Sequence, residues 1–172
     1  MQKPLVLSVL TAVSFASALA GQGANIWLPP KCEVKGANHF LVNSGLLYLK
    51  NATEKPLNRE RDLKDAQRTL TQAVTTGGQD KNGGAWYYLG RYYAMRTDVA
   101  GADSAFRKAE ALLPACHEDI NFYRRNQLWV PMFNAGIAAL NAQNYDSALS
   151  VLRAAARVYD GEPQGLTTLA TA

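Results

Sequence analysis

Two cysteines and two histidines carry the most specific chemistry available to this chain of 172 residues. The densest group is Cys116-His117-Glu118-Asp119. It lacks the first cysteine of a C-x-x-C-H haem attachment site, and neighbouring residues point in different directions rather than converging on a metal. The sequence also contains no H-E-x-x-H, phosphate-binding glycine loop or C-x-x-C motif, and no Ser/His/Asp set can be assembled around the histidines. We therefore expect no catalytic residues, no metal and no cofactor, and a protein that is not an enzyme.

The elements that would position any site are helices, because apolar residues recur three and four positions apart. On a helix such residues share one face. The clearest stretch reads Trp86-x2-Leu89-Gly90-x2-Tyr93, followed by Ala102-x3-Phe106-x2-Ala109-x4-Pro114. Gly90 and Ala102 have almost no side chain, so two helices can approach closely there, and Pro114 ends the second helix.

This pattern resembles the tetratricopeptide repeat (TPR) family at each of its signature positions. The resemblance implies an all-α fold, an α-α superhelix (TPR solenoid) of about three helix-turn-helix repeats plus the start of a fourth. It also implies a non-enzymatic scaffold that binds other proteins. Gly90 and Ala102 are 12 positions apart, and so are Gly136 and Ala148.

A weaker copy of the pattern occurs upstream, where Gly45 and Ala66 are 21 positions apart. The nine extra residues are expected to loop out. The chain is thereby divided into a signal peptide (1–20), an extended N-terminal arm (21–37), repeat 1 (38–78) with an insertion (51–61), repeat 2 (83–114), an insertion (115–128), repeat 3 (129–160), and the start of a fourth repeat or a frayed cap (161–172). The 115–128 insertion is aromatic and basic, which fits either a binding segment or a short helix packed on the solenoid end.

The first 20 residues have the composition of a secretory signal peptide. Lys3 precedes an apolar run rich in small residues, which ends in the A-x-A sequence Ala18-Leu19-Ala20. We expect an exported protein, periplasmic or extracellular, with no stable membrane span after cleavage; an uncleaved anchor is the alternative. The net charge of +4 is spread along the chain with both signs interspersed, which argues against a nucleic-acid partner.

Export makes a disulfide between Cys32 and Cys116 chemically reasonable. Because alternate helices of such a solenoid run antiparallel, both cysteines are placed at the same edge. They are also about three helix steps apart, so either the arm or the segment after Pro114 must run along that edge to join them. Two free buried thiols are the alternative.

The TPR resemblance further implies a concave face lined by the first helix of each repeat. It places Val42, Leu46, Leu49, Tyr87, Arg91, Ala94, Phe133, Ile137 and Leu140 on this face, and it assigns partner contact to all of them except Ala94. Because this groove is mostly apolar, we expect something to cover it. One occupant is a helix or peptide of a partner protein, anchored by Tyr87 and Phe133 and oriented by Arg91. The chain's own arm, Ile26 to Pro30, further repeats or self-association are the other occupants considered.

Two further functions fit the same surface. The chain could serve as a structural subunit of a membrane-associated or envelope complex, docked through the arm and the groove. It could instead be a carrier that holds a hydrophobic small ligand in the groove. Neither needs a catalytic residue.

Overall fold

The computed structural model describes residues 26–162 and Thr168, and these residues form helices without any strand. The predicted all-α class is confirmed for this part of the chain. The predicted signal peptide and most of the predicted fourth repeat lie outside the described residues. The helices are α1 (Phe40–Glu54), α2 (Arg59–Thr75), α3 (Gly83–Met95), α4 (Val99–Leu112), α5 (His117–Tyr123), a π-helical segment (Arg124–Trp129), α6 (Val130–Asn141) and α7 (Tyr145–Val158), with 3-10 turns at Pro56–Asn58 and Pro114–Cys116.

The helices pack as three consecutive pairs, α1 with α2, α3 with α4, and α6 with α7. Helix α2 also packs on α3, whereas the third pair is joined to the rest through α7 and the π segment. The α3–α4 and α6–α7 connections have the same local structure. Thr97 and Gln143 adopt positive φ angles of 56° and 58°. The following residues, Asp98 and Asn144, each cap the next helix by accepting a hydrogen bond from a backbone N–H.

A buried glycine faces a large apolar side chain at the centre of each pair. A Cβ on Gly90 would lie 2.5 Å from Phe106 Cδ1, and a Cβ on Gly136 would lie 2.5 Å from Leu152 Cδ2. Gly45 meets Leu70 in the same way. The absence of a side chain therefore brings the paired helices together, as the spacing of small residues predicts.

The first insertion differs from expectation because helix replaces loop, whereas the second contains a short helix, one of the two alternatives considered. Residues 51–61 do not loop out: α1 continues to Glu54, one 3-10 turn follows, and α2 begins at Arg59. Residues 115–128 form the 3-10 turn, α5 and most of the π segment, which run without a break into α6. Pro131 has no N–H to donate to the carbonyl four residues earlier, and its ring would crowd that carbonyl. This accounts for the wider, π-helical winding just before Pro131.

None of the helices in the described residues is both long and apolar enough to cross a membrane.

Candidate functional site

The described part of the arm, residues 26–37, runs past α3 and α5 and is tied to both. Tyr123 OH donates a hydrogen bond to the carbonyl of Leu28 at 3.1 Å. The backbone N–H of Lys31 donates to Asp119 Oδ1 at 3.2 Å. Gly84 N–H, at the start of α3, donates to the Lys35 carbonyl at 3.1 Å. The extended arm is thus held in place by hydrogen bonds from its backbone to two side chains of α5 and to the first turn of α3.

The disulfide between Cys32 and Cys116 adds a covalent link to the same contact. Their sulfur atoms are 2.03 Å apart and their Cα atoms 5.2 Å apart, so the predicted pairing is confirmed. Two structural features bring Cys32 and Cys116 closer together than the spacing of helices in the solenoid predicts. The arm runs along the edge from Cys32, and the 3-10 turn after α4 places the fully buried Cys116 against it.

Arg91 lies between aromatic rings of the arm and of α5. Its guanidinium carbon is 3.6 Å from the centroid of the Trp27 ring and 4.2 Å from that of Tyr123. Stacking of a guanidinium on aromatic faces is favourable, and more so when the contact is removed from water. Arg91 is only 4% exposed, so this contact is a buried one.

Tyr87 and Asp119 form the polar centre of the buried contact. The Tyr87 hydroxyl donates to Asp119 Oδ2, and Asp119 Oδ1 accepts the Lys31 N–H described above. Burial raises the pKa of Tyr87 far above its usual range, and the nearby charge of Arg91 opposes only part of that shift. The phenol therefore stays protonated and acts as the donor. Both oxygens of a nearly fully buried carboxylate are satisfied in this way.

The positions assigned to the concave face divide into two groups. In the first two pairs Val42, Leu49 and Tyr87 are completely buried, and Arg91 and Ala94 nearly so; only Leu46 is partly exposed. The groove was expected to be covered, and in these two pairs most of its assigned positions are closed to a partner protein. On α3, the covering elements are the arm, α5 and the π segment. The positions of the third pair, Phe133, Ile137 and Leu140, are partly exposed.

A cavity of about 360 Å³ remains at the edge of this covered region. The arm contributes Trp27, α3 contributes Arg91, and Arg59 and Gln127 come from α2 and the π segment. Its lining includes two guanidinium groups and no carboxylate. This composition suits binding of an anionic or polar group rather than proton transfer or nucleophilic attack.

His117 belongs to a surface network instead of a reactive site. Its Nδ1 lies 3.0 Å from Glu110 Oε1, which also accepts a hydrogen bond from Arg124 at 2.7 Å. No group of three or more His, Cys, Asp or Glu residues that could hold a metal ion occurs within the described ranges.

Sequence reasoning assigned no individual contact with α3 to Trp27, Asp119 or Tyr123, although it considered the arm and the insertion that contain them. The sequence contained only indirect evidence for these contacts. The arm was recognised as one occupant of the groove, and the 115–128 insertion was noted as aromatic and basic, but nothing in their spacing specified contact with α3.

Comparison with protein-family models, with curated proteins and with solved structures finds no match to this chain.

Proposed function

We propose that this chain is an exported, non-enzymatic scaffold built as a TPR-type solenoid, which binds a helix or extended segment of a partner protein. Three features support the TPR-type arrangement. The helices pair consecutively, the glycine-to-large-residue contact recurs in each pair, and the turns at Thr97 and Gln143 match in conformation. The disulfide supports export, because such bonds persist in oxidising compartments.

One observation carries the binding proposal: the third helix pair presents the part of the predicted groove that is still accessible. Phe133, Ile137 and Leu140 are spaced four and three residues apart, so they share one face of α6. Phe133 is also stacked on Trp129, with ring centroids 4.9 Å apart and planes 7° apart. A rigid aromatic pair beside aliphatic side chains is the composition that anchors a partner's apolar residues.

The first two pairs contribute differently in this proposal. On α3 the positions assigned to the groove are covered by the arm, α5 and the π segment, and on α1 Val42 and Leu49 are buried. These positions therefore stabilise the scaffold instead of contacting the partner. Tyr87 and Arg91, which the resemblance assigned to partner contact, act in this account as buried positioning residues.

The proposal can be tested by site-specific photo-crosslinking in cells that make the protein naturally. A benzophenone amino acid would replace Ile137 on α6, and a control would carry it at Lys64, which is exposed on α2. We expect a discrete crosslinked protein from position 137 and none from position 64. In the position 137 background, Phe133→Ala should reduce the yield, whereas Asn134→Ala, an exposed neighbour, should leave it unchanged.

Equal crosslinking from positions 137 and 64 would contradict the proposal, as would a yield insensitive to Phe133→Ala. Circular dichroism of each purified variant shows whether the helical fold is retained. This check separates a lost contact from a lost structure.

A further inference from the structure

The 360 Å³ cavity beside the arm contains an unusual buried charge. Arg91 is 4% exposed and lines the cavity, yet its Nη1 has no hydrogen-bond partner in the part of the chain that is described. An unpaired polar atom of a buried cation is costly, because the group has lost its water without gaining an acceptor. Arg91 also lines the cavity, so an acceptor bound there would lie beside its guanidinium group.

None of the described residues accepts a hydrogen bond from Arg91 Nη1, and the lining also contains an unpaired acceptor, Gln127 Oε1. The nearby carboxylate, Asp119, is already engaged by Tyr87 OH and the Lys31 N–H, and Arg91 forms no ion pair among the described residues. A second cation lines the same cavity. The guanidinium of Arg59 donates only to the neutral carbonyls of Ala52, at 3.3 Å, and Met95, at 3.4 Å. The cavity thus combines two positive charges with no negative one in its lining.

The remaining walls are suited to an organic molecule. Trp27, Tyr123, Ala94 and Met95 provide aromatic and aliphatic surface around the two guanidinium groups. A volume of about 360 Å³ lies within the usual range of small-ligand sites. At about 30 Å³ per water molecule it corresponds to roughly a dozen non-hydrogen atoms.

We propose that this cavity binds a small organic carboxylate. The carboxylate accepts hydrogen bonds from Arg91 and Arg59, and its hydrocarbon part packs against Trp27 and Tyr123. A planar guanidinium matches a planar carboxylate, and the apolar walls favour an organic acid over a fully hydrated inorganic anion. The inference concerns the covered region of the first two helix pairs and does not depend on partner binding at the third pair.

The test compares benzoate with benzamide, which have the same number of non-hydrogen atoms and nearly the same shape but differ in charge. Affinities for the oxidised full chain are measured by ligand-observed saturation-transfer NMR and by titration. We expect benzoate to bind at least about tenfold more tightly than benzamide, because hydrogen bonds to charged groups contribute more than neutral ones. Benzoate should also shift the resonances of Trp27 and Tyr123.

Two variants then test whether the charge of Arg59 is responsible for the tighter binding of benzoate. Arg59→Gln should weaken benzoate binding severalfold and leave benzamide binding unchanged. The matched control is Arg96→Gln, whose guanidinium pairs with Glu60 on the surface at 2.8 Å and does not line the cavity. That control should bind benzoate as the unaltered chain does.

Three results would overturn the proposal. They are equal affinity for benzoate and benzamide, benzoate binding that is insensitive to Arg59→Gln, and displacement of benzoate by an equal concentration of inorganic phosphate. The first and third comparisons use the unaltered chain, so they do not depend on the folding of any variant.

Discussion

The buried hydrogen bond from Tyr87 to Asp119 is the contact whose removal should reveal how the arm, α3 and α5 are held together. Tyr87→Phe removes the hydroxyl and leaves Asp119 Oδ2 without that donor. Asp119→Asn removes the charge and directs an amide N–H toward one of two donors, Tyr87 OH or the Lys31 N–H. Each change alone should lower the free energy of unfolding by about 1.5 to 3 kcal/mol, the range for a buried hydrogen bond to a charged group.

The double variant distinguishes a direct contact from two independent losses. If the two side chains interact as described, the combined loss should fall short of the sum by about 1.5 to 3 kcal/mol. The assay is urea-induced unfolding followed by far-ultraviolet circular dichroism, with the disulfide kept oxidised. The matched control is the exposed pair Arg68 and Asp65, 3.1 Å apart on α2, whose coupling should stay below about 0.5 kcal/mol. A Tyr87–Asp119 coupling as small as the control's would refute the buried contact.

Three further predictions concern the disulfide, the helix contact and the pH dependence. Replacing Cys32 and Cys116 together by alanine should lower the free energy of unfolding by about 4.6 kcal/mol, from the loop-entropy model for their separation of 84 residues. A loss under about 1 kcal/mol in urea titrations would contradict it. Gly90→Ala should lower the melting temperature, because a Cβ would lie 2.5 Å from Phe106 Cδ1, and crowding costs about 1 to 3 kcal/mol against a helix-propensity gain of at most about 1 kcal/mol. Adding Phe106→Leu should recover part of this loss, and a higher melting temperature for Gly90→Ala alone would exclude close contact. Burial raises the pKa of Tyr87 and of three other buried tyrosines, so the folded chain keeps these phenols neutral where the unfolded chain ionises. The free energy of unfolding should therefore be independent of these groups below about pH 9 and fall above about pH 10, by up to about 1.4 kcal/mol per pH unit for each tyrosine, and a flat profile from pH 8 to 11 would contradict this.

The helix pairs could be predicted from the sequence because the contacts that define them are local and periodic. Gly90 and Phe106 are separated by one short turn, and helical spacing places both on facing surfaces. The same reasoning applies to Gly136 with Leu152. Because this periodicity is local, the pairs can be predicted without knowing how they are arranged in the whole molecule.

The covering of the groove could not be predicted in the same way. Trp27 belongs to an extended segment without periodicity, and its contact with Arg91 spans 64 positions of sequence. The 115–128 insertion was predicted to be either a binding segment or a short helix packed on the solenoid end. Its conversion into α5 and the π segment, which place Tyr123 and Asp119 over α3, depends on tertiary packing rather than on intrinsic propensity.

The chain's own arm and α5 cover the side of α3 that carries Tyr87 and Arg91, and Arg91 is held between the Trp27 and Tyr123 rings. Side-chain NMR of the oxidised full chain tests this most directly. We expect the Arg91 side-chain protons to be shifted upfield by the two rings and to show nuclear Overhauser contacts to the Trp27 indole, with both effects reduced in Trp27→Leu. Arg91 protons at ordinary positions, with no contact to Trp27 and no response to Trp27→Leu, would contradict the account.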